Sequence, residues 1–220
     1  MLLSRLLLAA AWLGISLCAS ADALAVRAVE ILFISDGSTD SSNALIRAAV
    51  ARDTRVQGIF LARNFGHQAA VSVGLTHASG DYVAIIDGDL QDPPELIGEL
   101  LEAVENGADV AYAVRRSRKE GWHKRVLYAS FYRLLQRVAD IHIPLDSGDF
   151  CCMRRRVVDA MLTLPERNRF VRGIRAWVGF RQTAVSYERS ARAAGTSHYT
   201  LKKLLRLASD GLFGFSTLPV

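Results

Sequence analysis

Asp81–Glu95 reads DYVAIIDGDLQDPPE, and this stretch decides the fold. Tyr82 to Ile86 is an unbroken apolar run, the pattern of a strand covered on both faces. It ends abruptly in Asp87-Gly88-Asp89, with Gln91 and Asp92 following. Two carboxylates leaving a strand tip two residues apart point to the same side. Held close, they repel each other unless a cation lies between them. Hard oxygen donors of this kind suit Mg2+ or Mn2+, ions that also clamp phosphates. The stretch therefore implies a metal-bound diphosphate at a strand end, most simply that of a nucleotide-sugar.

The same strand-then-helix alternation continues on either side. Glu30–Ser35 is a predicted strand, and Asp36-Gly37-Ser38-Thr39-Asp40 is the turn after it. Ser38 or Thr39 can cap the helix that follows, which runs to about Arg52. Val56–Leu61 is a second strand, Gly66–Ala78 a helix, and Gly80 closes the turn before Tyr82. Pro93 and Pro94 open a helix to about Asn106, Gly107 stops it, and Asp109–Val114 is a further strand. This order predicts an α/β fold with a mostly parallel sheet and helices on both faces. Ligands of such sheets bind beyond the carboxyl ends of the strands. Asp36, Asp87, Asp89 and Arg115 all fall there.

The chain has 220 residues, half of them hydrophobic, and a net charge of +5. That is enough for one domain with a full core, and no repeat, low-complexity tract or linker divides it. The charge is uneven. Acidic residues dominate up to Asp109, whereas beyond Val114 the balance turns basic, from Arg115 through Arg154-Arg155-Arg156 to Arg206. Such asymmetry points to an anionic partner. The basic positions alternate with apolar helix positions rather than with base-stacking aromatics, which favours anionic lipid over nucleic acid. Lys124–Val138 and Thr200–Phe213 both read as basic amphipathic helices suited to a membrane interface. Cys18, Cys151 and Cys152 lack ligand spacing, and the adjacent pair is expected to act as small core hydrophobes in a reducing compartment.

The N-terminal segment is unusual. Met1–Ala23 carries Arg5, an apolar run from Leu6 to Leu17 and small residues at Ala19-Ser20-Ala21, the layout of a secretory signal. Export would part the chain from cytoplasmic nucleotide-sugars, so residues 1–27 are read as a signal-like or aberrant segment and 28–220 as the folded domain.

Several separated blocks together resemble the polyisoprenyl-phosphate glycosyltransferases of glycosyltransferase family 2. They are DGSTD at Asp36–Asp40, RNFGHQAAVSVGL at Arg63–Leu75, DGDLQDPPE at Asp87–Glu95, SGDFCCMRRRVV at Ser147–Val158, VGFRQ at Val178–Gln182 and RAAGTSHYTLKKLLRLASDG at Arg192–Gly211. The resemblance implies a GT-A fold and transfer of a sugar, with inversion, from a UDP- or GDP-linked donor to a polyisoprenyl phosphate. The reaction would take place at the cytoplasmic face of the inner membrane. It assigns Asp87, Asp89 and Gln91 to Mg2+ or Mn2+ and the donor diphosphate, and Asp36 to the nucleotide. Asp149 takes the position of the catalytic base. Arg115, Arg118 and Arg125 fall where arginines meet donor or lipid phosphates. Arg192, Ser197 and Tyr199 fall on a loop that closes over the pyrophosphate. Self-association is left open as a further partner.

Three departures from the family pattern stand out. The opening strand and its P-x-Y-N-E-like loop have no match, so the sheet is expected to lack its first strand. Ser35 replaces the first of two aspartates in the nucleotide turn. The chain stops soon after Phe215-Ser216-Thr217-Leu218-Pro219, before the transmembrane helices that many relatives carry. A non-catalytic remnant, or a nucleotidyltransferase with a similar metal-diphosphate site, are the rival expectations.

Overall fold

The computed structural model describes residues 5–10, 28–89, 92–115, 147–166 and 169–187. Within them the elements run β1 (Arg5–Ala10), β2 (Ala28–Ser35), α1 (Ser42–Arg52), β3 (Val56–Phe60), α2 (His67–His77) and β4 (Tyr82–Ile86). Then follow α3 (Leu96–Glu105), β5 (Val110–Arg115), β6 (Ser147–Arg154), α4 (Arg155–Leu162), α5 (Val171–Trp177) and β7 (Gln182–Tyr187). The strands form one sheet in the order β3-β2-β1-β4-β6-β5-β7. All neighbouring pairs are parallel except those made by β6, which runs antiparallel to both β4 and β5. The expected mostly parallel sheet with helices on both faces is what the chain adopts.

The expected lack of a first strand is corrected by β1. Arg5–Ala10 lies between β2 and β4, pairing Leu8 with Ile31 on one side and with Ala84 on the other. The apolar run that resembles a signal core equally suits a central parallel strand, which is covered on both faces and tolerates no polar alternation. The two uses leave the same sequence trace. β1 lies inside the segment 1–27 and is hydrogen-bonded into the sheet.

Like α4, α5 and β7, β6 is an element that pattern reading did not place. Its residues alternate between two cores, as period-two geometry requires. Cys151 and Met153 share one core with Leu75, Val83, Ile85, Val157, Val158 and Ile174, on the side of α2, α4 and α5. Phe150 and Cys152 share the other with Ala84 and Ile86 of β4 and with Ile97, Leu100 and Val104 of α3. Cys151 and Cys152 are fully buried and unpaired, and burial pushes both thiols up, in keeping with a core role. On α3 the buried residues Leu96, Ile97, Leu100, Leu101 and Val104 follow helical spacing. Each such aliphatic side chain contributes roughly 1.5–3 kcal/mol of transfer free energy.

Two turns hold the rim that matters for function. Gly37 has φ +66°, and a Cβ there would sit 2.3 Å from the backbone carbon of Arg63. The turn after β2 therefore presses directly on the loop after β3, which only glycine permits. The helix cap differs from expectation. Neither Ser38 nor Thr39 caps α1; the Asp40 carboxylate accepts from the Ser42 amide at 2.9 Å, and the Ser42 side chain first and this amide second hold its carboxyl low.

At the opposite edge, part of the basic run is already committed. Arg154 donates to the carbonyls of Ala108 and Val104, and Arg155 to the carbonyl of Gly80. Arg156 pairs with the buried Asp109. These contacts stitch the amino-end edge of the sheet. The amphipathic stretches Lys124–Val138 and Thr200–Phe213 lie outside the described residues.

Candidate active site

The antiparallel register of β4 and β6 builds the site. It pairs Tyr82 with Arg154 and Ile85 with Cys151. Carried two residues further, the same register sets Asp87, just past the end of β4, opposite Asp149 near the start of β6. Two carboxylates from distant parts of the chain are thereby brought to one rim. His67, the first residue of α2, stands between them. Its Nε2 lies 3.0 Å from Asp149 Oδ2 and 3.8 Å from Asp87 Oδ1.

Asp149 is buried and heavily engaged. Arg172 donates Nε to Oδ1 at 2.8 Å and a terminal nitrogen to Oδ2 at 3.1 Å, a side-on fork. Gln68 reaches the same Oδ2 at 3.5 Å, and its carbonyl oxygen accepts from the Val171 amide at 2.8 Å. Burial alone would push the Asp149 carboxyl up. The His67 bond and the Arg172 ion pair outweigh it and hold the group far below the usual carboxylate range. His67 is shifted up, chiefly by that bond, against the opposing effect of burial.

Asp87 is in the contrary state. Burial pushes its carboxyl up, the His67 charge opposes this, and Asp149, Asp92 and Asp89 add repulsion. The rim thus gathers four carboxylates. Only oxygen donors are offered at Asp87 and Asp89, and the excess negative charge disfavours ionised Asp87. A divalent ion preferring hard oxygen ligands fits this donor set. Among the described residues no group of three or more His, Cys, Asp or Glu closes around a single point. Gln91, the third expected ligand, lies outside them.

Asp36 occupies the end of β2, as expected, and its carboxylate has a local task. Oδ1 accepts from the Phe65 amide at 2.7 Å and Oδ2 from the Gly66 amide at 2.9 Å. It thus pins the loop that delivers His67. Gly66, with φ +99°, makes the backbone reversal that starts α2. Ser35, standing where the family has another aspartate, donates to Asn43 Oδ1 at 2.6 Å and closes the same turn. Arg115 ends β5 opposite Tyr187 of β7. Arg118, Arg125, Arg192, Ser197 and Tyr199 lie outside the described residues.

Sequence reasoning treats His67 as a helix-start residue and does not single out Gln68 or Arg172. His67 and Gln68 sit inside the RNFGHQ block, whose polar residues at a helix start are the available signal. Arg172 gives none, being one of many arginines in the basic half of the chain.

Residues 16–162 match the family described as glycosyl transferase family 2. The chain belongs to that family. It is 50% identical over 192 residues to the uncharacterized glycosyltransferase YkcC of Bacillus subtilis (strain 168), covering 87% of this chain and 59% of that protein. It is 44% identical over 193 residues to the bactoprenol glucosyl transferase of Shigella phage SfV, covering 87% and 63%. The chain thus spans about three-fifths of the length of these curated relatives. Among solved structures it resembles glucosyl-3-phosphoglycerate synthase from Mycobacterium tuberculosis in complex with Mn2+, UDP-glucose and phosphoglyceric acid. That likeness has TM-score 0.52 and 18% identity, and covers 94% of this chain and 76% of the other. The family 2 chain therefore has the GT-A fold. No helix among the described residues is long and apolar enough to cross a membrane.

Proposed function

We propose that this family 2 chain transfers a sugar from a nucleotide-sugar to a polyisoprenyl phosphate. The observation that carries this is the juxtaposition of Asp87 and Asp149 across β4 and β6, a metal-suited carboxylate beside a cation-braced one. The 44% identity to a bactoprenol glucosyl transferase supports the acceptor class, and the Mn2+ and UDP-glucose of the M. tuberculosis structure support the donor class.

Asp87, Asp89 and Gln91 would hold Mg2+ or Mn2+. When bound, such an ion neutralises charge on a leaving diphosphate. The protein's own residues do the rest. Asp36 fixes the loop beside the nucleotide turn, and Arg192, Ser197 and Tyr199 would close over the pyrophosphate. Arg115, Arg118 and Arg125 would meet donor or acceptor phosphates through charge-assisted bonds. A phosphate monoester has a second pKa of about 6, so at neutral pH it is already largely a nucleophilic dianion. Strong base catalysis is unnecessary for it. Asp149, buried against Arg172 and His67 and held low by them, is a poor proton acceptor and serves instead as a positioning residue. Direct attack of the phosphate oxygen on the anomeric carbon inverts its configuration. A lipid acceptor would confine the reaction to the cytoplasmic membrane surface. The remnant alternative leaned on an absent first strand, whereas Arg5–Ala10 pairs with β2 and β4 inside the sheet.

The test is incubation of the purified chain with membranes, Mn2+ and a panel of radiolabelled UDP- and GDP-sugars. Label in the lipid extract is the expected outcome. Label that stays wholly in water-soluble products with every donor would overturn the assignment.

A further inference from the structure

His67 is held by more of the fold than a helix-start residue needs. Asp36, at the end of β2, pins the two amides before it, Asp149 on β6 binds its Nε2, and Gln68 beside it is tied to α5 through Val171. Yet its side chain remains 46% exposed, whereas that of Asp149 is 4% exposed. Since Nε2–H donates to the carboxylate, Nδ1 is the ring nitrogen left for a ligand. No protein group among the described residues bonds Nδ1.

The position along the sheet is equally specific. β2, β1 and β4 carry Asp36 and Asp87, the residues of the donor side under the reading above. β6, β5 and β7 carry Asp149 and Arg115. α2 follows β3 at the far edge, and its first residue reaches across to β6, to the boundary between these halves. Donor and acceptor must meet at that boundary. Arg172, at 2.8 Å from Asp149, offsets the carboxylate's charge and makes the place tolerable for an oxyanion.

We propose that His67 contacts the acceptor: its Nδ1 edge, fixed by the Nε2 bond to Asp149, hydrogen-bonds a terminal oxygen of the phosphate monoester. This rests on the transfer reaction proposed above. The contact does not depend on one protonation state. A neutral ring accepts from the P–OH of a monoanion, and a protonated ring donates to an oxygen of the dianion. Asp149 and Arg172 then act through His67, as positioning residues.

The test uses the full chain with Mn2+, titrated by calorimetry with two probes, farnesyl phosphate for the acceptor and UDP for the donor. In His67→Gln the side-chain amide nitrogen takes the place of Nε2 and keeps Asp149 partnered, while nothing replaces Nδ1. Its Kd for farnesyl phosphate is expected to rise roughly 10- to 100-fold, the range for losing a hydrogen bond to a charged group. Its Kd for UDP is expected to stay within about 3-fold. Unchanged farnesyl phosphate binding overturns the inference, and so does an equal loss of both probes, which would make His67 a donor contact or a general support. His67→Asn, which retains a polar atom near Nδ1, should bind farnesyl phosphate better than His67→Gln; the reverse order also counts against it. Wild-type chain that binds UDP but not farnesyl phosphate overturns the acceptor reading itself, an outcome distinct from wild-type binding with an indifferent His67→Gln.

Discussion

The Tyr187 hydroxyl, at the end of β7, donates to the buried carboxylate of Asp92. This ties the loop after β4, which carries Asp87 and Asp89, to the far edge of the sheet. The Tyr187 ring also packs edge-to-face on Phe150, with centroids 6.1 Å apart. Tyr187→Phe keeps the ring contact and removes the donor. It should cost about 1–3 kcal/mol, because a buried carboxylate loses a partner. At about 2–4 °C per kcal/mol for a chain of this size, the melting temperature should fall measurably. The same variant should bind Mn2+ more weakly, since the acidic loop loses a tether. A melting curve that overlays wild type would mean the bond contributes nothing.

Asp87 gives the opposite expectation. Its folded-state carboxyl is shifted up, so the folded chain binds that proton more firmly than the unfolded chain does. Stability from this group therefore declines as pH rises above the ordinary carboxylate value of about 4, and the deficit persists at neutral pH. In metal-free buffer near neutrality, Asp87→Asn should melt no lower than wild type. Adding Mn2+ at about ten times its Kd should stabilise wild type by ~1.4 kcal/mol and leave the variant unmoved. Differential scanning calorimetry with and without chelator decides it. A variant that is destabilised without metal would contradict the repulsion seen at the rim.

Asp149 titrates the other way. Its carboxyl is held low, so its contribution is complete above the unfolded value of about 4 and disappears as pH falls below that. His67, shifted up by the same contact, contributes below its unfolded value of about 6.5 and loses that contribution as pH rises through the higher folded value. Asp149→Asn breaks a buried ion pair and should cost about 3–5 kcal/mol. Its stability should also vary less with pH in both windows, the acid one and the one above about pH 6.5. If turnover of Asp149→Asn were abolished equally at about pH 6 and about pH 9, obligate base catalysis by Asp149 would replace its positioning role.

Much of this architecture is legible in the chain because parallel α/β units repeat one local pattern. β4 spans the predicted Tyr82–Ile86, and β2, β3, β5 and the helices between them fall within a few residues of their expected bounds. Asp36, Asp87 and Asp89 are legible as strand-end residues for the same reason. β1 is not, since Leu6–Ala10 suits a signal core and a central strand alike. β6 is not, since its direction depends on long-range pairing with Tyr82–Ile85 and Val110–Tyr112. The union of Asp149, His67 and Arg172 is invisible for a related reason. Asp149 is 82 positions from His67 and 23 from Arg172, and only the sheet register brings them together.

Arg175 offers a last test of how that region is held. It is 1% exposed, and its Nε and one terminal nitrogen have no hydrogen-bond partner among the described residues. The other terminal nitrogen reaches the Gly148 carbonyl only at 3.5 Å, and the guanidinium carbon lies 5.5 Å from the Tyr112 ring centroid. A buried cation so sparsely satisfied recovers little of its desolvation cost. Arg175→Met keeps most of the side-chain volume and removes the charge. It should therefore leave the melting temperature unchanged or raise it, by up to about 4 kcal/mol of stability. Burial without charge would then suffice to pack α5 against β6, beside the Arg172–Asp149 ion pair and the Gln68–Val171 bond that anchor that helix. A clear drop in melting temperature for Arg175→Met, with the fold retained by circular dichroism, would instead mean that the guanidinium is satisfied through Tyr112 and Gly148 more strongly than those distances imply.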